Sequence, residues 1–310
     1  MRTALIYTLL AVASVACTEP TAAQAPSTSI GDPPTVQRFL SSMRTLSTRL
    51  KTNPRLRNFS DQQREDAVQF VTGNMLFVLN HELAHAAMSE LKLPYFGRDE
   101  DAADAFAILR LLKFQNSLSR KALIESAKGW FLSARRDRKD GEKVVYYDDH
   151  SFDQQRAYQI VCMMKGSGTN LVVDIPASAR LSQDSEQTCR REYERALWSW
   201  NTLLEPHWRH PTDPRTLINV VYGEGRGTLS AYEEGFKSLR VLELVADRIS
   251  NDVVFPDPIT LELKTCGFIN AEWIEATRTV TLCYELAEDF FELYRDFAIQ
   301  QGRSTRIRKR

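Results

Sequence analysis

Residues 61–92 read DQQREDAVQFVTGNMLFVLNHELAHAAMSELK, and this stretch decides the fold. Apolar side chains recur in it every three or four residues, and no proline interrupts the pattern. That spacing places the apolar residues on one face of an α-helix and predicts a long helix in the core. The apolar positions are Val68, Val71, Met75, Leu76, Leu79, Leu83 and Ala87.

The same stretch contains His81-Glu82-Leu83-Ala84-His85, a sequence of the form HExxH. Histidines four residues apart lie one above the other on a helix, so both imidazoles can reach one divalent ion, with the intervening carboxylate beside the metal's open side. Burying histidine and glutamate in an apolar helix costs free energy unless a metal or another partner satisfies them. The motif therefore predicts a zinc site with His81 and His85 as ligands.

A catalytic zinc site needs a third protein ligand, and the next predicted helix supplies candidates. A third histidine ten residues after the first, as in astacin-like and matrix proteases, is excluded because Leu91 stands there. The chain between His85 and Glu100 is long enough to return Glu100 to the metal. Glu100 is thus the expected third ligand. Asp101 is the alternative ligand, in which case Glu100 would only favour the start of its helix.

Helical spacing predicts further helices along the chain. Asp99 is expected to cap the helix that follows the HExxH helix. The other predicted helices are residues 118–136, 152–164, 184–204, 231–251 and 285–301. Strand character is confined to residues 259–264 and 277–284, which alternate or are rich in β-branched residues. The sequence therefore predicts a mainly α (α+β) fold, a helical domain with a small β-ribbon near its C-terminus.

Composition limits the classes of protein that fit. Of the 310 residues, 43 % are hydrophobic, which is enough for a large core and excludes an intrinsically disordered chain. Forty basic and forty acidic residues give a formal net charge of zero. No overall field therefore attracts nucleic acid or anionic lipid, and we expect no nucleic-acid partner.

Residues 1–25 have the pattern of a cleavable secretory signal, in which an arginine precedes an apolar run and small residues follow. The run is shorter than the roughly 20 residues of a spanning helix, so we expect no transmembrane span in the mature chain. Cleavage after Ala16, Ala23 or Ala25 is considered, with Pro26 arguing against the last, and Cys17 is an alternative site for a lipid anchor. The protein is thus expected to be periplasmic or secreted.

Three regions follow this segment. Residues 26–35 are rich in proline, serine and threonine, and are expected to form a linker. Residues 36–302 are expected to form a single domain. Residues 303–310 read RSTRIRKR and are expected to be a solvated basic tail.

Four cysteines remain after the leader, an even number in a compartment that permits disulfides. Their spacing differs from the Cys-x-x-Cys spacing of a structural zinc site. Three pairings exist, and we favour Cys162 with Cys189 and Cys266 with Cys283 because each closes a short local loop. Buried free thiols are the alternative.

Three segments carry a resemblance to known proteins. HExxH on one helix followed by E-x-x-A-D on the next resembles the gluzincin arrangement of thermolysin-like and CAAX-type zinc proteases. The segments HELAHAAMSELKLPYFGRDEDAADAFA, DDHSFDQQRAYQIVC and CGFINAEW with TVTLCYEL resemble a bacterial family of exported proteins of unknown function classed as metallopeptidases. The similarity spans most of residues 70–290, and it implies a zincin-like helical domain.

The resemblance implies one zinc ion bound by His81, His85 and Glu100, with water in the fourth position. Glu82 is then the general base, which agrees with the chemistry of zinc-activated water. Asp104, one turn beyond Glu100, is expected to accept the remaining ring N–H of a ligating histidine and so fix its tautomer. A surface carboxylate is the alternative for Asp104.

A group that stabilises the oxyanion is also expected, and His150 is favoured because its acidic neighbours keep the ring protonated. The alternatives are Tyr147, Tyr222, His207 and His210. Arg156 is expected to pair with Asp149 or Asp153. The strand at residues 277–284 is expected to be an edge strand that holds an extended substrate.

The sequence thus predicts an exported zinc-dependent metallopeptidase that acts on a peptide or protein substrate. One alternative is a non-catalytic envelope or partner-binding protein with a structural or vestigial metal site. Another is a metal-free helical domain in which His81 and His85 are ordinary buried histidines.

Overall fold

The structure is a computed structural model that describes residues 32–141, 149–169 and 181–307. Helices form most of it. The helices are α1 (Pro34–Arg49), α2 (Asp61–Glu90), α3 (Asp99–Lys113), α4 (Ser117–Asp140), α5 (Asp153–Gly166), α6 (Glu186–Leu204), α7 (Ser230–Leu239), α8 (Val241–Asp252) and α9 (Tyr284–Ile307). One small sheet lies near the C-terminus. The mainly α (α+β) prediction is confirmed.

Helix α2 is the centre of the fold. The Ser60 hydroxyl accepts a hydrogen bond from the Gln63 backbone N–H, and the Gln63 side chain accepts one from the Ser60 N–H, which closes a capping box at the helix start. Beyond its first turns, α2 is buried on nearly every side because α1, α3, α4, α9 and the sheet pack around it. The predicted helix over residues 61–92 is confirmed, with its last residue at Glu90.

Helices α2 and α4 approach each other closely at Gly129. Asn74 on α2 lies over this glycine and donates its Nδ2 to the carbonyl oxygens of Phe70, at 2.8 Å, and Glu125, at 3.1 Å. A Cβ atom at Gly129 would lie 2.1 Å from Asn74 Oδ1. The contact between the two helices therefore requires a residue without a side chain.

Four strands form the sheet: β1 (Ile218–Tyr222), β2 (Ile259–Lys264), β3 (Ala271–Ile274) and β4 (Thr279–Cys283). Their order is β1-β2-β4-β3, with β3 antiparallel and the others parallel. Helices α7 and α8 form the crossover between the parallel strands β1 and β2. The expected β-ribbon is therefore a mixed sheet.

The structure changes the strand prediction at several points. Strand β2 has the predicted bounds, whereas Thr277 lies in a turn before β4 and Tyr284 already begins α9. The sequence did not reveal β1 or β3. Ala271 and Glu272 have weak strand propensity, so β3 owes its conformation to pairing with β4.

Two helix boundaries also differ from the prediction. The predicted helix 231–251 is two helices, because Arg240 adopts a left-handed conformation with φ of 56° between α7 and α8. Asp99 is the first residue of α3 rather than its cap, and Arg98 occupies the capping position without a side-chain hydrogen bond. Three acidic residues in the first turn favour this helix start through the helix dipole.

The ends of the described chain extend the predicted domain. Helix α1 begins at Pro34, inside the segment expected to be a linker, because proline is well tolerated in the first turn of a helix. Helix α9 continues to Ile307, into the residues expected to be a basic tail. Residues 1–31, which include the expected signal segment 1–25 and Cys17, lie outside the described residues.

Both cysteine pairs are those expected from loop length. The sulfur atoms of Cys162 and Cys189 are 2.01 Å apart and join α5 to α6, while those of Cys266 and Cys283 are 2.04 Å apart.

Among the described residues, none of the helices has both the length and the apolar character needed to cross a bilayer.

Replacing Gly129 with alanine is expected to lower the free energy of unfolding by about 1–3 kcal/mol, because the new methyl group overlaps Asn74. Urea denaturation measures the change. Gly302→Ala is the matched control: Gly302 is exposed on α9, a methyl group added there would meet no other atom within 4 Å, and the variant should be neutral or slightly stabilised. Equal stability of both variants would contradict the close approach of α2 and α4.

Candidate metal centre

The end of α2 and the start of α3 bring the three predicted ligands to one point. His81 and His85 lie on successive turns of α2, and Glu100 lies in the first turn of α3. Glu100 Oε2 is 2.9 Å from His81 Nε2, and Glu100 Oε1 is 3.4 Å from His85 Nε2. The two histidine Nε2 atoms are 3.2 Å apart.

These separations fit a tetrahedral ion of zinc's size. Donor atoms that surround zinc at 2.0–2.1 Å and at tetrahedral angles are about 3.3 Å apart. The three separations, 2.9, 3.2 and 3.4 Å, lie around that value. Two imidazoles and one carboxylate also form a donor set that zinc binds. The residues present therefore fit a divalent metal.

The turn between α2 and α3 has a local cause in the sequence. Lys92 adopts a left-handed φ of 52°, and the Leu93 N–H donates to the Met88 carbonyl at 3.0 Å, which closes the end of α2. Gly97 has a φ of 85°, which glycine adopts without strain. The chain thereby reverses within a few residues and returns Glu100 to the histidines.

Asp104 holds the second nitrogen of the His81 ring. Its Oδ1 lies 2.8 Å from His81 Nδ1, so the ring donates this N–H to Asp104 and presents Nε2 to Glu100 and His85. Asp104 is buried, rather than a surface carboxylate. The sequence predicts that Asp104 accepts an N–H of a histidine ring, and this hydrogen bond is present; that the ring binds a metal stays a prediction.

Arg156 on α5 supports Asp104 from the other side. Its Nε and Nη2 atoms donate to the two oxygens of Asp104, both at 2.7 Å, and its guanidinium stacks 3.8 Å from the centre of the Trp130 ring. The expected pairing of Arg156 with Asp149 or Asp153 is wrong, because the buried carboxylate of Asp104 needs a charge partner more than exposed ones do. No short-range pattern in the sequence indicates this contact.

The charges of the centre shift the pKa values of its members. Burial alone would lower the pKa of His81, but its hydrogen bonds to Asp104 and Glu100 raise it to about 9. Burial would raise the pKa of both carboxylates. Arg156 and His81 nevertheless lower the pKa of Asp104 to about 2, and hydrogen bonds from His150, His81 and His85 lower that of Glu100 well below its ordinary value.

Glu82 lies between the two histidines in sequence and is 7 % exposed. Burial raises the pKa of its carboxyl group above the ordinary value, although the charges of His81 and His85 oppose the rise. A carboxylate with a raised pKa binds protons more readily, which suits an acid–base group. Glu82 follows His81 directly on α2 and precedes His85 by three residues, so it belongs to the same stretch of the helix as both histidines.

His150 joins the centre from a different part of the chain. Its Nε2 lies 2.8 Å from Glu100 Oε2, and its ring stacks parallel to that of His81 at 6.4 Å. The next residue, Ser151, donates its hydroxyl to Asp101 Oδ1 at 2.6 Å, which fastens this segment to α3. Asp101 is thus occupied by Ser151, whereas Glu100 lies against the Nε2 atoms of both histidines and Asp99 Oδ2 lies 4.0 Å from His85 Nδ1.

The other groups considered as oxyanion stabilisers lie elsewhere. Tyr222 donates its hydroxyl to Glu243 and accepts a hydrogen bond from the Leu242 N–H. The His207 carbonyl oxygen accepts a hydrogen bond from the Val254 N–H, and Trp208 pairs with Val253. The segment with His207 and His210 therefore lies beside the residues that follow α8. Tyr147 falls outside the described residues.

The expected edge strand is wrong. Strand β4 pairs with β2 on one side and β3 on the other, so it is interior. Within the part of the chain that the structure describes, β3 is the strand at that edge of the sheet, and it packs against α2. Sequence reasoning missed β3 as a strand and so assigned the edge to its neighbour.

Two cavities differ in their relation to the metal centre. The wall of a polar groove of about 520 Å³ includes Asp101 and Ser151, which are next to Glu100 and His150 in the sequence, but none of the three predicted ligands. An apolar cavity of about 440 Å³ lies between α1, the first half of α2 and α7. Its nearest wall residue on α2, Thr72, precedes His81 by nine residues, about 14 Å along the helix, so this cavity is separate from the centre.

Comparison with family models matches residues 45–204 and 226–307 to DUF4344, whose description reads "Putative metallopeptidase". Comparisons with curated proteins and with solved structures gave no significant match. The matched residues include His81, His85, Glu100 and His150, and they cover most of the chain. The protein therefore belongs to this metallopeptidase-like family of unknown function, as the resemblance of its three segments implied.

Proposed function

We propose that this protein is an exported zinc-dependent metallopeptidase with His81, His85 and Glu100 as metal ligands. The observation that carries the proposal is the convergence of the two histidine Nε2 atoms and the Glu100 carboxylate at separations of 2.9 to 3.4 Å. Membership of the family supports a peptidase role in general, and the two-histidine, one-glutamate donor set supports zinc.

Zinc held by these residues would lower the pKa of a coordinated water toward about 7 and polarise the scissile carbonyl. Glu82 takes the proton of the attacking water and delivers it to the leaving amine, so the proton that leaves the nucleophile ends on the product. Its burial and raised pKa suit both halves of this transfer. Glu82 is therefore the proposed general base and acid.

His150 is the proposed donor to the oxyanion that develops on the substrate carbonyl. Its hydrogen bond to Glu100 raises the pKa of the ring above the ordinary value, which favours the protonated ring that such a donor needs. Asp104 and Arg156 act behind His81 by fixing which ring nitrogen carries the hydrogen. These two residues position a ligand rather than touch the substrate.

The substrate is proposed to be an extended peptide that pairs with the outer edge of β3. This strand packs on the helix that carries His81 and His85, so a chain added to it would pass the metal centre. The polar groove beside Ser151, which also includes Gln155, Gln159 and Arg195, offers room for a substrate side chain.

The proposed place of action is the periplasm or the medium. Residues 1–25 would direct export and be removed, and residues 36–302 would form the working domain. The two disulfide bonds support this location because such bonds persist in oxidising compartments.

A second candidate function is a non-catalytic binding protein with a closed metal site. The observation that favours it is the position of His150, whose Nε2 could join His81 and Glu100 around one ion. Four protein ligands would leave no vertex for water, as in structural zinc sites. The role of His150 therefore separates an enzyme from a binding protein.

Glu82→Gln is expected to retain one zinc per chain and to reduce peptide hydrolysis at least about 100-fold, since it removes the proton acceptor and keeps the shape of the side chain. His85→Ala is expected to lose the metal. Zinc analysis of the purified mature protein and digestion of a peptide library measure the two effects.

His210→Ala is the control for both variants, because His210 is an exposed histidine outside the centre and its loss should change neither zinc content nor hydrolysis. Full activity of the Glu82 variant would remove Glu82 as the base. Stoichiometric zinc in the His85 variant would refute the ligand set.

His150→Ala distinguishes the two candidate functions. If His150 is an oxyanion donor, its loss should leave zinc affinity nearly unchanged and should lower kcat about 100-fold or more. If His150 is a fourth ligand, its loss should weaken zinc binding, which a competition assay with a chelating dye measures. A large drop in zinc affinity, together with no hydrolysis by the wild type, would support the closed site.

The metal-free protein is expected to lose stability as the pH rises. The pKa of His81 is raised to about 9 in the folded protein, against about 6.5 in an unfolded chain. The stabilising effect is therefore complete below about pH 6.5 and is lost as the pH rises through about 9, by at most about 3 kcal/mol. Thermal unfolding in a chelator, followed between about pH 6 and 9.5, measures the loss.

Two comparisons sharpen this experiment. Asp104→Asn should flatten the decline, because it removes the carboxylate that helps to hold the proton on His81. Saturating zinc should also remove the decline, because metal binding and protonation compete for the same ring nitrogen. An unfolding midpoint of the metal-free wild type that does not fall over this range would contradict the arrangement around His81.

A further inference from the structure

A small cavity between α2, α3 and α8 contains two arginines, Arg110 and Arg248. Its volume, about 10 Å³, accommodates one particle of about the size of a water molecule. Apolar side chains from the three helices, the α3–α4 connection and the start of α4 form most of the remaining wall: Leu76, Leu111, Phe114, Leu118, Leu244 and Val245.

The hydrogen bonds of Arg110 leave one donor group unused. Arg110 is 7 % exposed; its Nε donates to Asn80 Oδ1 at 3.3 Å and its Nη1 to Asp252 Oδ2 at 3.1 Å. Its Nη2 is buried and has no hydrogen-bond partner among the described residues. A buried donor of a charged group without a partner costs free energy, so an acceptor is needed here.

Arg248 presents a second guanidinium to the same cavity. Its Cζ lies 3.9 Å from the centre of the Phe114 ring, and the Cζ of Arg110 lies 5.8 Å from the same centre. Within the described ranges, Arg248 makes no ion pair within 4 Å. The cavity therefore borders two arginines that donate hydrogen bonds and cannot accept them.

Positive charge exceeds negative charge around this cavity. Arg110 and Lys113 share one carboxylate, Asp252, at 3.1 and 2.9 Å. The nearby Asp247 is held by Arg215 at 2.6 Å. Burial lowers the pKa of both cavity arginines, and the charge of Arg110 lowers that of Arg248 further.

We propose that a monatomic anion of the size of chloride binds in this cavity between Arg110 Nη2 and the Arg248 guanidinium. Such an ion accepts hydrogen bonds from both arginines and supplies the missing negative charge. Water would accept the hydrogen bonds but would leave Arg110 sharing the charge of Asp252 with Lys113, and Arg248 without an ion pair within 4 Å among the described residues. Phosphate and sulfate, with five heavy atoms each, are larger than the single small particle that this cavity accommodates. The proposed anion site shares no residue with the proposed metal ligands, although Asn80 in its wall directly precedes His81.

The test uses bromide, a heavier halide, with the full mature protein. Crystals soaked in sodium bromide should show an anomalous peak within hydrogen-bond distance of Arg110 Nη2. In solution, replacing sodium gluconate with sodium chloride at constant ionic strength should raise the thermal unfolding midpoint by about 3 °C at ten times the dissociation constant.

Arg248→Gln should weaken chloride binding at least about tenfold and abolish most of the rise in the midpoint. Arg248→Lys provides a second variant that keeps the charge and should retain part of the effect. Arg191→Gln is the matched control, because it removes an exposed arginine on α6 and should respond to chloride like the wild type. A cavity without an anomalous peak, or the same chloride response in wild type and Arg248→Gln, would show that only water binds and would overturn the proposal.

Discussion

The buried imidazole of His81 lies between two carboxylates, and the rest of the site depends on this arrangement. Asp104 binds one ring nitrogen and Glu100 faces the other. Arg156 compensates the charge of Asp104 from behind, whereas no arginine or lysine makes an ion pair with Glu100 among the described residues. The outer side of the ring therefore needs a positive charge, which protons on the histidines or a divalent cation can supply.

Four helices supply the residues of this arrangement. Helix α2 supplies the histidines, α3 the two acids and α5 the arginine, while Trp130 on α4 supports the guanidinium. At the end of α2, Glu90 pairs with Arg278, which directly precedes β4, and so connects α2 to the sheet. Close packing of α2 with α4 at Gly129 holds the whole group in register. The centre is thus a property of the packed core rather than of one surface loop.

Sequence reasoning found the parts that depend on short-range pattern. The periodicity of α2, the HExxH spacing and the reach to Glu100 all lie within about 40 residues, so geometry along the chain was sufficient. The sequence-based prediction was wrong where contacts between distant parts of the chain determine the structure. Arg156 pairs with an acid 52 residues away, and β3 is a strand only because β4 lies beside it. The left-handed Arg240 divides a helical pattern that has no glycine or proline at the break.

The order of these residues along the chain has a consequence for how the centre can be assembled. A polypeptide that stopped at Gly141 would contain the whole HExxH helix, Glu100 and Asp104, which are all the residues of the candidate centre except His150 and Arg156. It would lack Arg156, so the buried aspartate would lose its counter-charge and would tend to capture a proton instead of orienting the imidazole. Assembly of a competent centre must therefore wait for the later helix to dock.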